Sequence, residues 1–369
     1  MIYLDNGATS FHKPPQVWWA VRNAMVRCAN PGRGSYEAAM EAADTVFHCR
    51  ETAAELFDCD VEQVAFTSNC THGLNIAIRS LVKPGGKVLI TGFEHNAVTR
   101  TLHGLGAQLI IAGRKLFDWE DTLEEFRRGL NQNPDAAVFT HVSNVFGYIL
   151  PVEEMAAMCR RRGIPFIIDA AQSAGTMSVS LRKTGAAFIA MPGHKGLLGP
   201  QGTGLLLCGE TPDPLLFGGT GSESRLQDMP DFVPDRIEAG TLNVPGIAGL
   251  GEGLRYLRRF GIESIGKRER QMARHCAKDL RKMGMTVFHG PHQGGTVSFL
   301  PGNDCEEAAG ILARQGIAVR SGLHCAPLAH ESAGTLETGT VRISFGHDAE
   351  IGQVRALLRA AAKLLPREN

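Results

Sequence analysis

"AMPGHKGLLGPQGTGLLL", residues 190–207, is the part of the sequence around which we expect the fold to be organised. It joins an apolar run at 186–191 to a second one at 203–208 through a loop dense in glycine and proline. The loop holds Lys195 between two runs that we predict to be buried strands. Burial disfavours the charged form of an amine, and a neutral amine attacks carbonyl carbon. Because a lysine in a polar turn is more often simply solvated, the interpretation of Lys195 depends on the rest of the chain.

Short apolar runs alternate with helix-length segments between residues 61 and 208. Their hydrophobicity is continuous rather than alternating, which predicts strands covered on both faces in a mostly parallel sheet flanked by helices. One connecting helix is predicted from Pro151 to Arg162, with acids in its first turn and arginines in its last, as the helix dipole favours. The predicted strands are Val64–Thr67, Lys87–Thr91, Gln108–Ile111, Ala137–Thr140, Phe166–Asp169, Phe188–Met191 and Gly204–Cys208.

The pattern changes after residue 208. Residues 209–246 are rich in Gly, Pro and Asp, and we predict a long loop that also connects two domains. A basic helix is predicted over 262–283; such a run is usually a solvated face, and a docking surface for an acidic partner is the alternative. The further predictions are strands at 286–288, 296–299 and 318–320, a helix from Asp304 and a final helix capped by Asp348.

These patterns predict an α/β protein with two domains. The large domain, residues 15–250, would contain the mostly parallel central sheet flanked by helices. The small domain would be α+β and would combine residues 1–14 with residues 251–369.

Composition excludes several classes of protein. The 369 residues carry 38 Lys and Arg against 38 Asp and Glu, so no charge excess points to nucleic acid or to an anionic membrane. The first residues, "MIYLDNGATS", lack the features of a signal peptide, and no apolar run approaches the length of a membrane span. Nine cysteines without a C-x-x-C pair argue against a disulfide framework or a structural zinc site. We therefore expect a soluble cytoplasmic protein without a metal site.

Polar residues follow several predicted strands, at the edge where open α/β sheets bind ligands. "SNCTHGLN" opens a helix after the first strand, and its free N–H groups with Thr71 form either a phosphate cradle or an ordinary N-cap. An imidazole, an amide and a carboxylate follow the next strands at His95, Asn144 and Asp169. Together with Lys195, these are the groups that hold pyridoxal 5'-phosphate (PLP).

The order of these segments resembles the class V aminotransferase family, and within it the cysteine desulfurases and selenocysteine lyases. The resemblance runs from Tyr3 to Phe345 and implies the fold of the fold type I PLP-dependent transferases. It also implies a homodimer whose active site is completed across the interface. The segments that carry it are "YLDNGAT", "FTSNCTHGLN", "EHNAV", "HVSNVFG", "IDAAQSAG", "GHKGLLGPQGTG", "EAGTLN", "VRSGLHCAP" and "VRISFG".

The resemblance implies a role for each cofactor-binding residue. Lys195 would be the catalytic amine that forms the Schiff base with PLP, and His95 would stack on the pyridine ring as a second catalytic residue. The other contacts would be Asp169 to the ring nitrogen, Asn144 and Gln172 to the ring oxygen, Cys70, Thr71 and His194 to the phosphate, and Thr241 to the partner subunit's phosphate.

Cys325 lies in the polar turn "RSGLHCAP", near Arg320 and His324, and positive neighbours stabilise a thiolate. It aligns with the nucleophile of the desulfurases, and the short segment that follows it resembles their second subgroup. Arg342 matches the arginine that clamps the substrate carboxylate, and we place Arg320 and Asn144 at the substrate with it. The implied reaction converts L-cysteine to L-alanine and leaves a persulfide on Cys325 for a thiol or protein acceptor.

Three residues depart from the family pattern, and more than one function stays open. Pro192 stands where a serine phosphate donor is usual, Leu323 replaces a histidine, and Cys70 replaces a small residue. Selenocysteine lyase activity would use the same residues. The chain would also suit an aminotransferase or lyase in which Cys325 is not catalytic, or a non-catalytic PLP-binding protein that relays sulfur.

Overall fold

The computed structural model describes residues 1–32, 34–302 and 304–364. All seven strands predicted between residues 61 and 208 are present, and their ends differ from the prediction by at most one residue. In chain order the first eight strands are β1 (Ile2–Tyr3), β2 (Val64–Thr67), β3 (Lys87–Thr91), β4 (Gln108–Ala112), β5 (Ala136–Thr140), β6 (Phe166–Asp169), β7 (Phe188–Pro192) and β8 (Gly204–Cys208).

Strands β2 to β8 form one sheet in the order β2-β8-β7-β6-β5-β3-β4. Neighbouring strands are parallel except where β8 pairs with β2 and β7, so the predicted mostly parallel sheet is confirmed. The carboxyl ends of all strands but β8 therefore lie along one edge. The prediction that every strand is covered on both faces was wrong for β4, where Leu109 is 39% exposed. This strand lies at the edge of the sheet and has a neighbouring strand on one side only.

Helices pack around this sheet and continue beyond it. Helix α6 follows Pro151 and ends with arginines, as predicted. The α-helices of the described residues are α1 (Pro15–Arg27), α2 (Glu37–Phe57), α3 (Cys70–Leu81), α4 (Asn96–Gly104), α5 (Trp119–Leu130), α6 (Val152–Arg161), α7 (Leu181–Thr184), α8 (Val244–Phe260), α9 (Ile262–Lys282), α10 (Cys305–Arg314), α11 (Pro327–Ala333) and α12 (Ile351–Ala361).

The long loop is confirmed, since residues 209–243 contain no helix or strand. The prediction that Asp348 caps the final helix was wrong. Helix α12 is capped by Glu350, whose side chain and backbone exchange hydrogen bonds with Gln353, and Asp348 lies one turn outside the helix. Asp348 instead pairs with His12.

The C-terminal third forms two further sheets from β9 (Thr286–Phe288), β10 (Thr296–Leu300), β11 (Ile317–Ala318), β12 (Arg320–Gly322) and β13 (Thr340–Ser344). One is antiparallel, in the order β12-β13-β10-β9, and the other pairs β1 with β11 in parallel. The prediction of a single strand at 318–320 was wrong, because the chain passes from one sheet to the other at Val319.

Two of the three hydrophobic clusters among the described residues bear on the expected domain boundary. One lies on the large sheet and includes Leu254 and Leu257 of α8. Another joins Leu4 to residues of α9, β10, β13 and α12. The second cluster explains why the N-terminal residues pack with the C-terminal third, while α8 itself runs across the expected boundary at 250 and 251. That boundary stays a prediction. Among the described residues, no helix combines the length and apolarity that crossing a bilayer requires.

Candidate active site

A cavity of about 240 Å³ lies at the carboxyl edge of the large sheet. Residues that follow β2, β3, β5, β6 and β7 form one wall. Gly7, residues of β12 and β13 and the turn after β12 form the other. Every predicted site residue except Thr241 lines this cavity: Cys70, Thr71, His95, Asn144, Asp169, Gln172, His194, Lys195, Arg320, Cys325 and Arg342.

Lys195 lies in the loop that follows β7, and two glycines allow this loop to pack closely against its neighbours. A Cβ at Gly193 would collide with Thr203 Oγ1, and a Cβ at Gly196 would collide with the carbonyl oxygen of Ala174. Only glycine therefore lets the loop pack this closely against its neighbours. Burial lowers the pKa of Lys195, while Asp169 and Cys70 act in the opposite direction. A lysine in this position loses its proton more readily than one in water.

Asp169 is the last residue of β6 and is 2% exposed. Its Oδ1 accepts hydrogen bonds from the backbone N–H of Ala171 at 2.9 Å and from the thiol of Cys70 at 3.5 Å. Burial, with the nearby charge of Asp169, raises the pKa of Cys70, so the thiol keeps its proton and acts as a donor. The carboxylate expected at a ring nitrogen is thus held by two donors.

His95 caps helix α4 with its side chain. The backbone N–H of Ala97 donates to His95 Nδ1 at 3.0 Å, which places the proton of the neutral ring on Nε2. Burial lowers the pKa of His95, although Asp169 acts against this. The ring therefore lines the cavity as a neutral imidazole whose orientation is fixed by the cap.

The N-terminus of helix α3 and His194 both line the cavity. Asn69 caps the helix, and its side chain accepts the N–H of His72 at 2.9 Å, so the N-cap interpretation is correct. Cys70 and Thr71 are the first two residues of this helix, so their N–H groups have no carbonyl within it to bond. His194 Nδ1 is buried without a hydrogen-bond partner among the described residues, and burial lowers the pKa of this ring to about 4.

Gln172 and Asn144 connect the two walls of the cavity. Gln172 Nε2 donates to the carbonyl oxygen of Gly7 at 3.0 Å. Asn144 Nδ2 donates to the carbonyl oxygen of His324 at 2.7 Å. Each amide keeps an oxygen and one N–H for a ligand, so both remain able to contact a ring substituent.

Arg342 lies on β13 and is 2% exposed. Its Nη1 donates to the carbonyl oxygen of Asn144 at 3.0 Å, and its Nη2 donates to Asp5 Oδ1 at 2.7 Å. The other oxygen of Asp5 lies 3.5 Å from Arg320 Nε. Arg342 Nε is buried without a partner among the described residues. The guanidinium is therefore fixed in place while keeping donors for another carboxylate.

Asp5 is a site residue that sequence reasoning missed. It lies within "YLDNGAT", which carried part of the resemblance, but its carboxylate was not assigned a role. Asp5 contacts residues more than 300 positions away in the chain. The available signal was that two arginines, Arg320 and Arg342, were assigned to one site, because a buried cation such as Arg342 needs an anion.

Cys325 is the only exposed thiol among the cysteines of the described residues. His324 and Cys325 both have positive φ angles, 50° and 56°, a conformation that side chains other than glycine rarely adopt. The backbone N–H of Asn96 donates to the carbonyl oxygen of Cys325 at 2.7 Å, which anchors this turn to the His95 segment. Burial lowers the pKa of His324 to about 2. The expectation that His324 supports a thiolate by positive charge was therefore wrong, and Arg320 is the remaining cation.

A sequence model of the family described as aminotransferase class-V matches residues 2–357. This chain belongs to that family. A protein of Pyrococcus abyssi named "Probable cysteine desulfurase" is 31% identical, over 99% of this chain and 94% of the relative. One of Methanothermobacter thermautotrophicus with the same name is 32% identical, over 93% of this chain and 89% of the relative.

Solved structures agree with this membership. The apo structure of a cysteine desulfurase from Thermococcus onnurineus is 31% identical, covers 98% of this chain and 94% of its own, and superimposes with a TM-score of 0.89. A cysteine desulfurase of Escherichia coli superimposes with a TM-score of 0.82 at 24% identity, which supports the shared fold alone. The expected fold of the fold type I PLP-dependent enzymes is confirmed.

Class V aminotransferases are PLP-dependent, and the cavity of this member fits the cofactor. His194 Nδ1 has no partner among the described residues, and the residues with free N–H groups in α3 line the same cavity, where a phosphate would supply both with a partner. Lys195 and Asp169 line the same cavity, and they are the amine and the carboxylate that PLP enzymes use.

Thr241 lies outside this cavity. It lines a separate one of about 360 Å³, together with Asn30, Phe47 and the buried ion pair of Arg50 with Glu238. Thr241 therefore has no access to the Lys195 cavity of its own chain. In the parts of the chain that the structure describes, no group of three or more His, Cys, Asp or Glu is arranged to hold a metal ion.

Proposed function

We propose that this protein is a cysteine desulfurase that converts L-cysteine to L-alanine and carries the released sulfur as a persulfide on Cys325. The observation that carries the proposal is one cavity lined by an amine at Lys195, a carboxylate-binding group at Arg342 and an exposed thiol at Cys325. The relatives that are named as cysteine desulfurases support the same activity.

Residues of the large-sheet wall would hold PLP. The Lys195 amine would hold the cofactor through its aldehyde carbon, Asp169 would hold a proton on the ring nitrogen, and His95 would cover a ring face. The phosphate would lie against the N-terminus of α3 and His194, whose Nδ1 otherwise has no partner. When bound, PLP accepts the electron pair that forms at the substrate Cα as its proton leaves.

Lys195 would be the residue that takes the proton from the substrate Cα. Because burial lowers its pKa, Lys195 Nζ holds a free electron pair at lower pH than an exposed lysine and can take the proton from the substrate Cα. The neutral His95 does not compete as a charged acid, since its Nδ1 is occupied by the N–H of Ala97. Lys195 is then the base of the reaction, and His95 positions the ring.

Arg342 would position the substrate by its carboxylate. Asp5 and the carbonyl of Asn144 use two of the five N–H donors of the guanidinium, and they leave the unpartnered Nε with the remaining Nη hydrogens. A carboxylate binds such a fork through two parallel hydrogen bonds, which fixes the orientation of Cα. Arg320 would add positive charge at the same end.

Cys325 would take the sulfur. Its thiolate attacks the substrate Sγ, a sulfur–sulfur bond forms, and the bond from Sγ to Cβ breaks. The electron pair of that bond stays on the carbon side, and Cβ gains a proton to become the methyl group of alanine. Thiol and cysteine thus become persulfide and alanine without any added oxidant or reductant. Because Cys325 is exposed, a thiol or protein acceptor could reach the persulfide.

A homodimer would complete the site. Thr241 does not reach the Lys195 cavity of its own chain, and we propose that it contacts the phosphate in the partner's cavity across the interface. Light scattering on the purified protein would then give twice the chain mass of 39.8 kDa. A monomer that retains full activity would contradict this assembly.

The reaction is tested by measuring sulfide and alanine from cysteine in the presence of a reducing thiol. Wild type should release both in equal amounts, and Cys325→Ser should release neither. Cys305→Ser is the matched control because Cys305 is buried away from the cavity, and it should retain activity. Alanine and sulfide that still form in Cys325→Ser would contradict the proposal, because sulfur would then leave the substrate without this thiol. Consumption of cysteine without alanine, in wild type and in Cys325→Ser alike, would favour a transaminase or another lyase.

A further inference from the structure

Helix α9 and the loop after β9 form an open groove of about 500 Å³ on the small-domain side of the molecule. Lys267, Arg270 and Arg274 line one wall, and the loop from His289 to Gln293 lines the other. The lining contains no carboxylate, although the chain as a whole carries equal numbers of acids and bases. This local excess of positive charge has no role in the reaction above.

The cations of the groove are available for binding. Lys267 and Arg274 are exposed and form no ion pair with any residue that the structure describes, whereas Arg270 lies 3.6 Å from Glu263. His275, His289 and His292 add three imidazoles to the lining. Like charges held together without counterions repel, and an anionic ligand would relieve that repulsion.

The spacing of the cations selects an extended chain over a compact anion. Along a helix, Lys267 and Arg270 are separated by about 4.5 Å and Arg270 and Arg274 by about 6 Å. Side chains on one face of an extended peptide recur about every 6.6 Å, so alternating acids match this row. The whole row from Lys267 to Arg274 extends about 10.5 Å along the helix, so a single phosphate would leave one of the three cations without a partner.

We propose that this groove binds an acidic, extended segment of a protein partner. The inference is independent of the desulfurase reaction, because binding can be measured without substrate.

The experiment measures fluorescence anisotropy of a labelled octapeptide of alternating glutamate and alanine, titrated with holoenzyme at about 0.01 M and 0.15 M salt. We expect binding that weakens with salt, and no binding of the same peptide with glutamine in place of glutamate. Arg274→Glu and Lys267→Glu should each weaken binding about fivefold or more. Arg274→Gln should weaken it less, and it provides a measurement if the charge reversals do not fold.

Lys278→Glu is the matched control, because it makes the same charge change on an exposed residue of the same helix outside the groove. Its affinity should stay within about twofold of wild type. An equal loss in Lys278→Glu, or unchanged binding in both groove reversals, would overturn the proposal. Displacement of the peptide by inorganic triphosphate or by oligothymidylate at lower concentration than by unlabelled peptide would also overturn it.

Discussion

The two walls of the active-site cavity are built in different ways. On the large-sheet wall, Asp169 ends a buried strand, His95 caps a helix and Lys195 lies in a loop packed closely by glycines. On the opposite wall, Cys325 is exposed and lies in a turn with two successive positive φ angles. One wall lowers the pKa of Lys195 by burial, and the other exposes the Cys325 thiol to solvent.

This difference separates the two chemical tasks. A base that takes a proton from carbon benefits from burial, because burial makes a lysine neutral. A thiol that must receive sulfur and then hand it to an acceptor has to be reachable from outside. Arg342 belongs to the same wall as Cys325. Its bond to the carbonyl oxygen of Asn144 connects the two walls, and Asp5 holds it from its own wall.

Substitution of one residue from each wall should separate these tasks most strongly. Lys195→Ala should slow exchange of the Cα proton of alanine by about a thousandfold, because it removes the base. Cys325→Ser should leave this exchange within about threefold of wild type, since alanine has no sulfur to transfer. Proton NMR in D₂O measures the exchange, and Lys183→Ala, a surface change, is the control. Loss of exchange in Cys325→Ser would show that the walls do not act separately.

Substitution of Glu94 tests whether burial of a carboxyl group in the large-sheet domain lowers the stability of the folded chain near neutral pH. Glu94 Oε1 accepts hydrogen bonds from Thr91 Oγ1 at 2.6 Å and from the N–H of Thr140 at 3.1 Å, which ties β3 to β5. Burial raises the pKa of Glu94 to about 8 from 4.5. Between these values the folded chain holds a proton that the unfolded chain has lost, so stability from this group is present below pH 4.5 and is lost as pH rises to 8.

In wild type, Glu94 should make the free energy of unfolding fall by an amount on the order of a few kcal/mol between about pH 5 and pH 8. In Glu94→Gln, this fall should be absent. Urea unfolding at a series of pH values measures this fall. Glu62→Gln is the control because Glu62 is exposed. Parallel pH curves for wild type and Glu94→Gln would show that Glu94 is ionised in the folded protein.

Asp5 tests how firmly Arg342 is held in the wall that carries Cys325. Asp5→Asn keeps the shape of the side chain but removes the charge that holds Arg342 and Arg320. We expect KM for cysteine to rise about tenfold, since a charged hydrogen bond is worth about 1.5 kcal/mol or more, with a smaller change in kcat. Steady-state kinetics measures both, and Asp348→Asn, at the surface pair with His12, is the control. A fall in kcat at unchanged KM would assign Asp5 to the proton-transfer step instead.

Cys70 should produce the smallest effect. Its thiol donates to Asp169 Oδ1 at 3.5 Å, so Cys70→Ala removes one donor from the carboxylate and makes it more basic. In holoenzyme loaded with ¹⁵N-labelled PLP, the ring nitrogen should stay protonated to a pH higher by up to about one unit. Nitrogen NMR measures this value, and Cys208→Ala, another buried thiol, is the control. A shift to lower pH would show that the thiol does not donate to Asp169.

Much of the large sheet could be predicted because each strand is a continuous apolar run between polar turns. Where the chain changes sheets, prediction failed. The run at 318–320 looks uniform in sequence, yet Ala318 pairs with β1 and Arg320 pairs with β13, because the partners on each side lie far away in the chain. The cap at Glu350 was missed for a similar reason, since Asp348 is equally suited to capping but bonds to His12.

The sequence by itself determined the chemical groups and their order: an amine in a glycine-rich loop, a carboxylate closing a strand, and a thiol in a polar turn. Local sequence controls these features because strand and loop formation depend on neighbouring residues. Only the tertiary structure decided the electrostatics. The neutrality of His324, the pairing of Asp5 with two arginines and the separation of Thr241 from Lys195 all depend on burial and on contacts between distant segments, which neighbouring residues do not specify.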